Sequence, residues 1–450
     1  MTLSLVLFLI ALLALSCLAG TTISKEQQTA LAQPYIQTIK YRNLVIDLGN
    51  GVKTNAQLTF PAIGKDPFPG VLLVAGSGAA DKNESLGYTL KHGPKPIQPL
   101  LQIAQYLSER GFAVLRYDKR GVGANFTILD KNVWRNMTFN DLKQDAEKAV
   151  NVLMQQPEVN STKKISIIGH SEGTMIAPRV AVDNPTKVKN IILIGTIAQN
   201  LRDLIYFQYV YLPIVYADKV LDHNHNGLIS IQEASKDPTF QIISGKVITN
   251  STAVTTNTSH LLQSANNINN TRTTQQQLQG GGNGTNKQNY ISIEKDLKPL
   301  LIKRIESLTT ENPNCIDLEG CPTYVKSHFA LGSTLSMIGN VSSNTGILIL
   351  QGEDDIQAPV QQAFMLQQRL TEVNHPDHML ITYPGLGHQL SPAIGYFPGS
   401  EMFLQKPGPT EEYALVDLYS WLETHSGFTS PATISNTMSP PSLSNFTAHR

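Results

Sequence analysis

An imbalance of charge is the first thing this sequence lacks. Lys and Arg together number 35, as do Asp and Glu, and the formal net charge at pH 7 is zero. Without a basic excess there is no electrostatic footprint for nucleic acid or for an anionic surface. Charge of either sign is also scarce, at 16% of residues against about 25% in an average domain. Asn, Gln, Ser and Thr are abundant instead, which suits a surface solvated by neutral polar groups. Cysteine is nearly missing. Cys17 lies in an N-terminal apolar run, which leaves Cys315 and Cys321, six apart in NPNCIDLEGCP. In an exported chain two such thiols most simply pair as a small-loop disulfide, with two unrelated free thiols as the alternative.

Long apolar runs are rare too. The one at the N-terminus, SLVLFLIALLALSCLA over residues 4–19, reads as the core of a signal peptide spanning residues 1–20, cleaved near Ala19-Gly20. No Lys or Arg precedes it. An uncleaved N-terminal membrane anchor and a lipidated Cys17 are therefore the alternatives. All three predict a secreted or membrane-anchored protein that meets a membrane only through this segment. Ten Asn-x-Ser/Thr triplets, among them those at Asn83, Asn125, Asn136, Asn160, Asn250, Asn340 and Asn445, would permit glycosylation outside the cytoplasm.

What is present is an alternation of strands and helices. NLVIDL and NAQLTF read as an antiparallel pair around Asn50-Gly51. Continuous apolar strands follow at 70–76, 112–118, 164–170, 189–195, 346–352 and 378–384, with amphipathic helices at 97–111, 138–156, 358–371 and 411–425. Strands that are apolar on both faces and separated by helices predict an α/β fold whose mostly parallel sheet is covered on both sides. The alternation spans residues 36–196 and 341–426. Residues 197–340 interrupt it as an insertion. Within that insertion 200–245 reads as helical, and 250–290 is a neutral polar, Gly-rich tract that reads as a flexible loop. The Ser-, Thr- and Pro-rich tail, 427–450, reads as disordered.

Chemistry is carried by ISIIGHSEGTMIAP (165–178). Gly169-His170-Ser171-Glu172-Gly173 matches Gly-x-Ser-x-Gly, a pattern that chance supplies about one time in seven in a chain of this length at average residue frequencies. The context removes most of that doubt. A strand leads in and a helix leads out, as a strained turn presenting a serine requires. A serine nucleophile needs a base, and the base needs an orienting acid. Two later strands each end in a loop bearing the required group: Gly352-Glu353-Asp354-Asp355 and Gly385-Leu386-Gly387-His388. Ser171, Asp355 and His388 are thus the candidate triad, with Asp355 favoured over Glu353 and Asp354. A tetrahedral intermediate also needs backbone donors. Glu172 N–H is one candidate, and Ser77 or Gly78, in the loop after GVLLVAG, is the other.

Together, GSG after the first core strand, RYDKRGVG (116–123), GHSEG, QGEDDIQAP and PGLGH resemble the α/β-hydrolase superfamily. In particular they are similar to bacterial and archaeal esterases with GHSEGG and YDKRG motifs, of dienelactone-hydrolase-like or serine-aminopeptidase-like type. Two departures stand out: Ala75-Gly76 where that family usually has His-Gly, and Gly173-Thr174 where it often has Gly-Gly. The resemblance implies an α/β-hydrolase fold, an insertion 197–340 serving as a cap over the active site, and a tight Asp118-Lys119-Arg120-Gly121 loop held by ion pairs. It implies a serine hydrolase needing no catalytic cofactor, and says little about substrate.

One further motif sits in the insertion. DHNHNGLISIQE (222–233) matches the EF-hand calcium pattern, with oxygen ligands predicted from Asp222, Asn224, Asn226, the Leu228 carbonyl, Ser230 and Glu233, and Gly227 at the bend. Only two of these are acids, which predicts weak affinity and a structural role. A vestigial loop is the alternative; His223 and His225 alternate with the ligands and are expected to point away. The sequence thus predicts an exported hydrolase of carboxylic esters. Its alternatives are a peptidase acting on short peptides, an acyltransferase, and a catalytically silent, calcium-dependent surface binding protein.

Overall fold

The computed structural model describes residues 38–85, 97–248, 290–310, 315, 321–392 and 408–427. The expected N-terminal segment 1–20, and nearly all of the 250–290 tract and the 427–450 tail, lie outside the described residues. No described helix is long and apolar enough to cross a membrane.

Eight strands form the central sheet: β1 (Ile39–Gly49), β2 (Val52–Pro61), β3 (Gly70–Val74), β4 (Ala113–Tyr117), β5 (Ile165–His170), β6 (Val188–Ile194), β7 (Gly346–Gly352) and β8 (His378–Tyr383). Their spatial order is β1-β2-β4-β3-β5-β6-β7-β8. β1 and β2 form the antiparallel hairpin, β2 pairs antiparallel with β4, and every later pairing is parallel. The strand alternation sorts side chains onto two faces. Leu72, Val74, Ile191, Leu193, Ile347 and Ile349 pack on one side. Val71, Leu73, Ile192, Ile194, Leu348 and Leu350 pack on the other.

Helices α1 (Pro99–Glu109) and α5 (Glu412–His425) cover the second face, while α2 (Phe139–Met154), α3 (Gly173–Asp183) and α4 (Gln361–Glu372) cover the first. The early acids of α2 have a structural cause. Asp141 accepts a bond from Thr138 N at 2.9 Å while Thr138 Oγ1 accepts from Asp141 N at 3.2 Å, a reciprocal cap that satisfies free N–H groups.

The insertion between β6 and β7 has its own apolar core, including Ile205, Ala217, Leu221, Ile229, Phe240, Ile291, Leu297 and Leu301. A helical run from Leu201 to Leu221 leads into the 222–233 loop and short helices at Ile231–Lys236 and Pro238–Ile243. The reading of 200–245 as helical misses one element: Leu228–Ser230 is a strand, laddered antiparallel to Tyr290–Ser292 with Ile229 opposite Ile291. The near-repeat of ISIQE (229–233) and ISIEK (291–295) was the available signal. Helix Pro322–Phe329 packs Tyr324 and Val325 into the core on the first face of the sheet, and the disulfide Cys315–Cys321 stands immediately before it.

Candidate active site

Ser171 lies where β5 ends and α3 begins, with φ at +52°. A non-glycine residue in the left-handed region is strained and persists only where its surroundings fix it. Here they do. Ser171 N donates to Ile194 O at 2.8 Å, and Thr174 N and Oγ1 donate back to Ser171 O at 2.8 and 2.6 Å. The flanking glycines are required by space: a Cβ on Gly169 would overlap the Gly173 carbonyl, and one on Gly173 would overlap the Val74 carbonyl. The turn therefore passes tightly against β3 and leaves Ser171 half-buried at the C-terminal edge of the sheet.

Asp355 and His388 come together after β7 and β8. His388 Nδ1 lies 2.7 Å from Asp355 Oδ2, and both residues are buried. The carboxylate is fully engaged: Oδ1 accepts from Gln357 N and Ala358 N, each at 2.8 Å, and Oδ2 also accepts from Gln351 Nε2 at 2.9 Å. A carboxylate partner makes His388 Nδ1 the donor and leaves Nε2 as an acceptor. The other two acids of the loop are placed differently. Glu353 accepts a surface bond from Thr382 Oγ1 at 2.7 Å, and Asp354 is bonded through its amide to Leu386 O. The His388 ring packs against Gly195, where a Cβ would fall 2.8 Å from Cε1. Ser171 and His388 thus both abut the Ile194-Gly195 end of β6.

A cavity of about 70 Å³ opens at Ser171, lined among others by Ser77, Glu172, Leu204, Tyr324 and Val325. Ser77 and Glu172 therefore share it with Ser171. Gly78, at φ +85°, turns the loop and is not among its lining residues. The 75–76 stretch comes close to the serine, since a Cβ on Gly76 would stand 3.0 Å from Ser171 Cβ.

Sequence reasoning considered only the amide of Glu172. Its side chain is a buried junction. Oε2 lies 2.5 Å from Lys119 Nζ, while Oε1 accepts from Tyr324 OH and lies 2.8 Å from His328 Nε2. Burial alone would raise this carboxyl, but Lys119 and His328 outweigh it and hold it well below the usual carboxylate range. Tyr324 and His328 belong to the helix Pro322–Phe329 of the insertion, so Glu172 ties the turn bearing Ser171 to the wall of its cavity. The Asp118-Lys119-Arg120 loop is held by pairs of its own: Arg120 bonds Asp145 at 2.6 Å and Asp141 at 2.9 Å, and Asp118 lies 3.7 Å from Lys82 Nζ. Glu84 and His170 form a second buried pair beneath Ser171 that sequence reasoning also missed; His170, inside the GHSEG motif itself, was the visible half.

The 222–233 loop lies in the insertion. Asp222 is buried, and its carboxylate accepts from Asn226 N at 3.1 Å and Gly227 N at 2.7 Å. Gly227 has φ +79°. Asn226 Oδ1 accepts from Leu228 N at 2.9 Å, and Ser230 Oγ caps the following helix through Glu233 N at 3.3 Å. Asn224 is exposed, as is Glu233, whose Oε2 lies 3.9 Å from His223 Nε2. No group of three or more His, Cys, Asp or Glu converges on a metal position among the described residues.

Residues 97–240 match the family described as serine aminopeptidase, S33, and residues 310–427 match the prolyl oligopeptidase family. Esterase EstD of Thermotoga maritima is 32% identical over 157 residues, which are 35% of this chain and 33% of that protein. The match thus spans about a third of the curated relative's length. Among solved structures, proline iminopeptidase of Mycobacterium smegmatis is similar at 15% identity and a TM-score of 0.46, covering 86% of this chain and 99% of its own. Est1E of Butyrivibrio proteoclasticus is similar at 13% identity and a TM-score of 0.40, covering 85% and 98%. Matches to two hydrolase families, one running into the insertion from its N-terminal side and one running out of it to residue 427, an esterase relative over a third of its length, and a mostly parallel sheet of this strand order with its serine turn after β5 agree on the α/β-hydrolase fold.

Proposed function

We propose that the protein is an exported serine hydrolase that cleaves carboxylic esters through an acyl-enzyme. The observation that carries this reading is the convergence at the end of β6. Ser171 is held there by its bond to Ile194 O, the His388–Asp355 pair packs on Gly195, and the cavity at Ser171 is lined by Ser77 and Glu172. Ser171 Oγ attacks the acyl carbonyl carbon, and its proton passes to His388 Nε2. Asp355 stabilises the imidazolium without taking the proton. The amides of Glu172 and Ser77 stabilise the oxyanion, where one preorganised donor is commonly worth about 10²–10³ in rate. His388 then gives its proton to the departing alcohol as the C–O bond breaks. Water attacks the acyl-enzyme, His388 takes and returns a proton, and the acid leaves with Ser171 restored. No step requires a metal or an organic cofactor.

A cavity of about 70 Å³ has room for only a few water molecules, which favours a short acyl group. A second reading, hydrolysis of short peptides, is favoured by the family descriptions matched over residues 97–240 and 310–427. Transfer of the acyl group to another alcohol would use the same intermediate. A panel of nitrophenyl esters and aminoacyl nitroanilides separates the first two readings. The ester reading expects kcat/KM at least tenfold higher on short esters than on any amide, and loss of both activities in Ser171→Ala. Amide preference would overturn it in favour of the peptidase.

We further propose that calcium binds the 222–233 loop and braces the cap. Support comes from the oxygen-only donor set of Asp222, Asn224, Asn226, Leu228 O, Ser230 and Glu233, from the turn at Gly227, and from the buried Ile229 anchored on Ile291. Two acids and two neutral amides point to a weak site, towards the millimolar range of extracellular modules.

A further inference from the structure

We infer that Glu84 and His170 are a positioning pair, which locks the loop carrying the Ser77 amide and the loop carrying His388 onto the serine turn. The inference rests on the ester-hydrolase reading above. Both residues are buried, and they are 86 positions apart in the chain. Glu84 Oε1 accepts from Gly76 N at 2.8 Å and meets His170 Nδ1 at 2.9 Å. On the other side of the ring, His170 Nε2 meets the backbone carbonyl of His388 at 3.2 Å. One pair thus touches the residue before Ser77, includes the residue before Ser171, and holds the main chain of His388.

The chemistry of the contacts fixes the charge state. A carboxylate and a peptide carbonyl only accept, so both ring nitrogens of His170 must donate. The ring is then an imidazolium, and Glu84 is its counter-ion. The titration directions agree with this geometry. Burial would lower His170, but the Glu84 charge outweighs it and raises the ring above its ordinary value; burial would raise Glu84, but His170 outweighs it and lowers the carboxyl. The other titratable groups facing the pair are His388, whose ring centroid is 4.7 Å from that of His170, and Asp355.

The backbone around the pair is shaped for it. Glu84 itself has φ +52°, a strained value for a residue with a side chain. A Cβ on Gly76 would lie 2.7 Å from Glu84 Oε1, so the carboxylate fits only beneath a glycine. Neither Glu84 nor His170 lines the cavity at Ser171. Their effect must therefore pass through the groups they hold. A shift of about 1 Å in a catalytic group can cost roughly 10²-fold in rate, and it weakens the transition state more than the bound substrate.

The test is Glu84→Gln and, separately, His170→Gln, each measured for kcat, KM and inhibition by an alkyl boronic acid, whose tetrahedral adduct occupies the oxyanion position. With glutamine at 84 the three contacts cannot all be kept: if its carbonyl accepts from Gly76 N and His170 Nδ1–H, a neutral His170 has no Nε2–H for the His388 carbonyl, and if its NH₂ donates to Nδ1, Gly76 N loses its acceptor. Each folded variant is expected to lose about 10- to 100-fold in kcat with KM within threefold, and boronate affinity should fall by the same factor as kcat/KM. A folded variant with kcat within threefold of wild type, or a stability loss with boronate affinity unchanged, overturns the inference. The wild type gives a reading that needs no variant. In ¹⁵N-histidine NMR at pH 7, His170, assigned by its contact to the His388 ring, should carry a proton on both nitrogens, and a singly protonated ring overturns the pair. Boronate binding and fluorophosphonate labelling of the wild type check the underlying reading separately. Their failure would sink the serine-hydrolase assignment while leaving the NMR result to stand or fall alone.

Discussion

Replacing Asp355 with asparagine changes one atom at the centre of four hydrogen bonds, and its consequences can be worked through. Oδ1 accepts two backbone N–H groups at 2.8 Å, so the amide oxygen of the variant is drawn to that side. The amide NH₂ then faces Gln351 Nε2 and His388 Nδ1, both donors toward this position in the wild type. Gln351 cannot turn over freely, because its Oε1 accepts from Thr196 N at 2.8 Å. His388 can adapt only by moving its proton from Nδ1 to Nε2, which removes the acceptor that must receive the Ser171 proton. The expected loss in kcat is about 10³- to 10⁴-fold, or roughly 4–5.5 kcal/mol at about 1.36 kcal/mol per decade. The donor facing Gln351 costs a further ~1–3 kcal/mol of stability. Steady-state hydrolysis of nitrophenyl acetate with urea unfolding of the same preparations measures both. Glu353→Ala is the control, since its surface bond to Thr382 should leave kcat within twofold. A folded Asp355→Asn protein retaining more than a tenth of wild-type kcat would refute the reasoning.

Three further outcomes concern the insertion and its junction with the serine turn. Cys315→Ser with Cys321→Ser opens a loop of six-residue separation, which the chain-entropy treatment values at about 2 kcal/mol; because Cys321 caps the helix carrying Tyr324 and Val325, KM should rise more than kcat falls, and an unchanged KM would contradict this. Glu172 has a depressed carboxyl, so its contribution is complete above its unfolded value of about 4.3 and fades as pH falls through the lower folded value. The stability gap between wild type and Glu172→Gln should therefore narrow as pH falls from 5 toward 2 in urea titrations, and a gap independent of pH would count against the buried junction. Millimolar calcium should raise the melting temperature of the EGTA-treated protein but not that of Asp222→Ala; equal melting curves would rule out the loop as a calcium site.

The sheet was readable because nearly every strand announces itself. GILILQG is apolar at both parities, and such a run is stable as a strand only where helices cover both faces; it lies at Gly346–Gly352 with its side chains divided between the two cores. Ser171, Asp355 and His388 were readable for a related reason. Each sits on the turn or loop that follows a strand, so its position in the fold follows from local pattern. What escaped the sequence depends on distance along the chain. Glu172 meets Tyr324 and His328 across 152 and 156 residues, and Glu84 meets His170 across 86. No periodicity relates such pairs. Charge and burial bring them together only once the fold exists. Strand Tyr290–Ser292 was hidden differently: three residues carry too little alternation to register, and its support is a partner 62 positions earlier.

The central claim, that Ser171 is the nucleophile, is tested most directly by fluorophosphonate labelling followed by mass spectrometry of the digested protein. The account predicts a single adduct, on the peptide containing Ser171, with labelling abolished in Ser171→Ala. An adduct on another serine, or undiminished labelling of the Ser171→Ala protein, would contradict it.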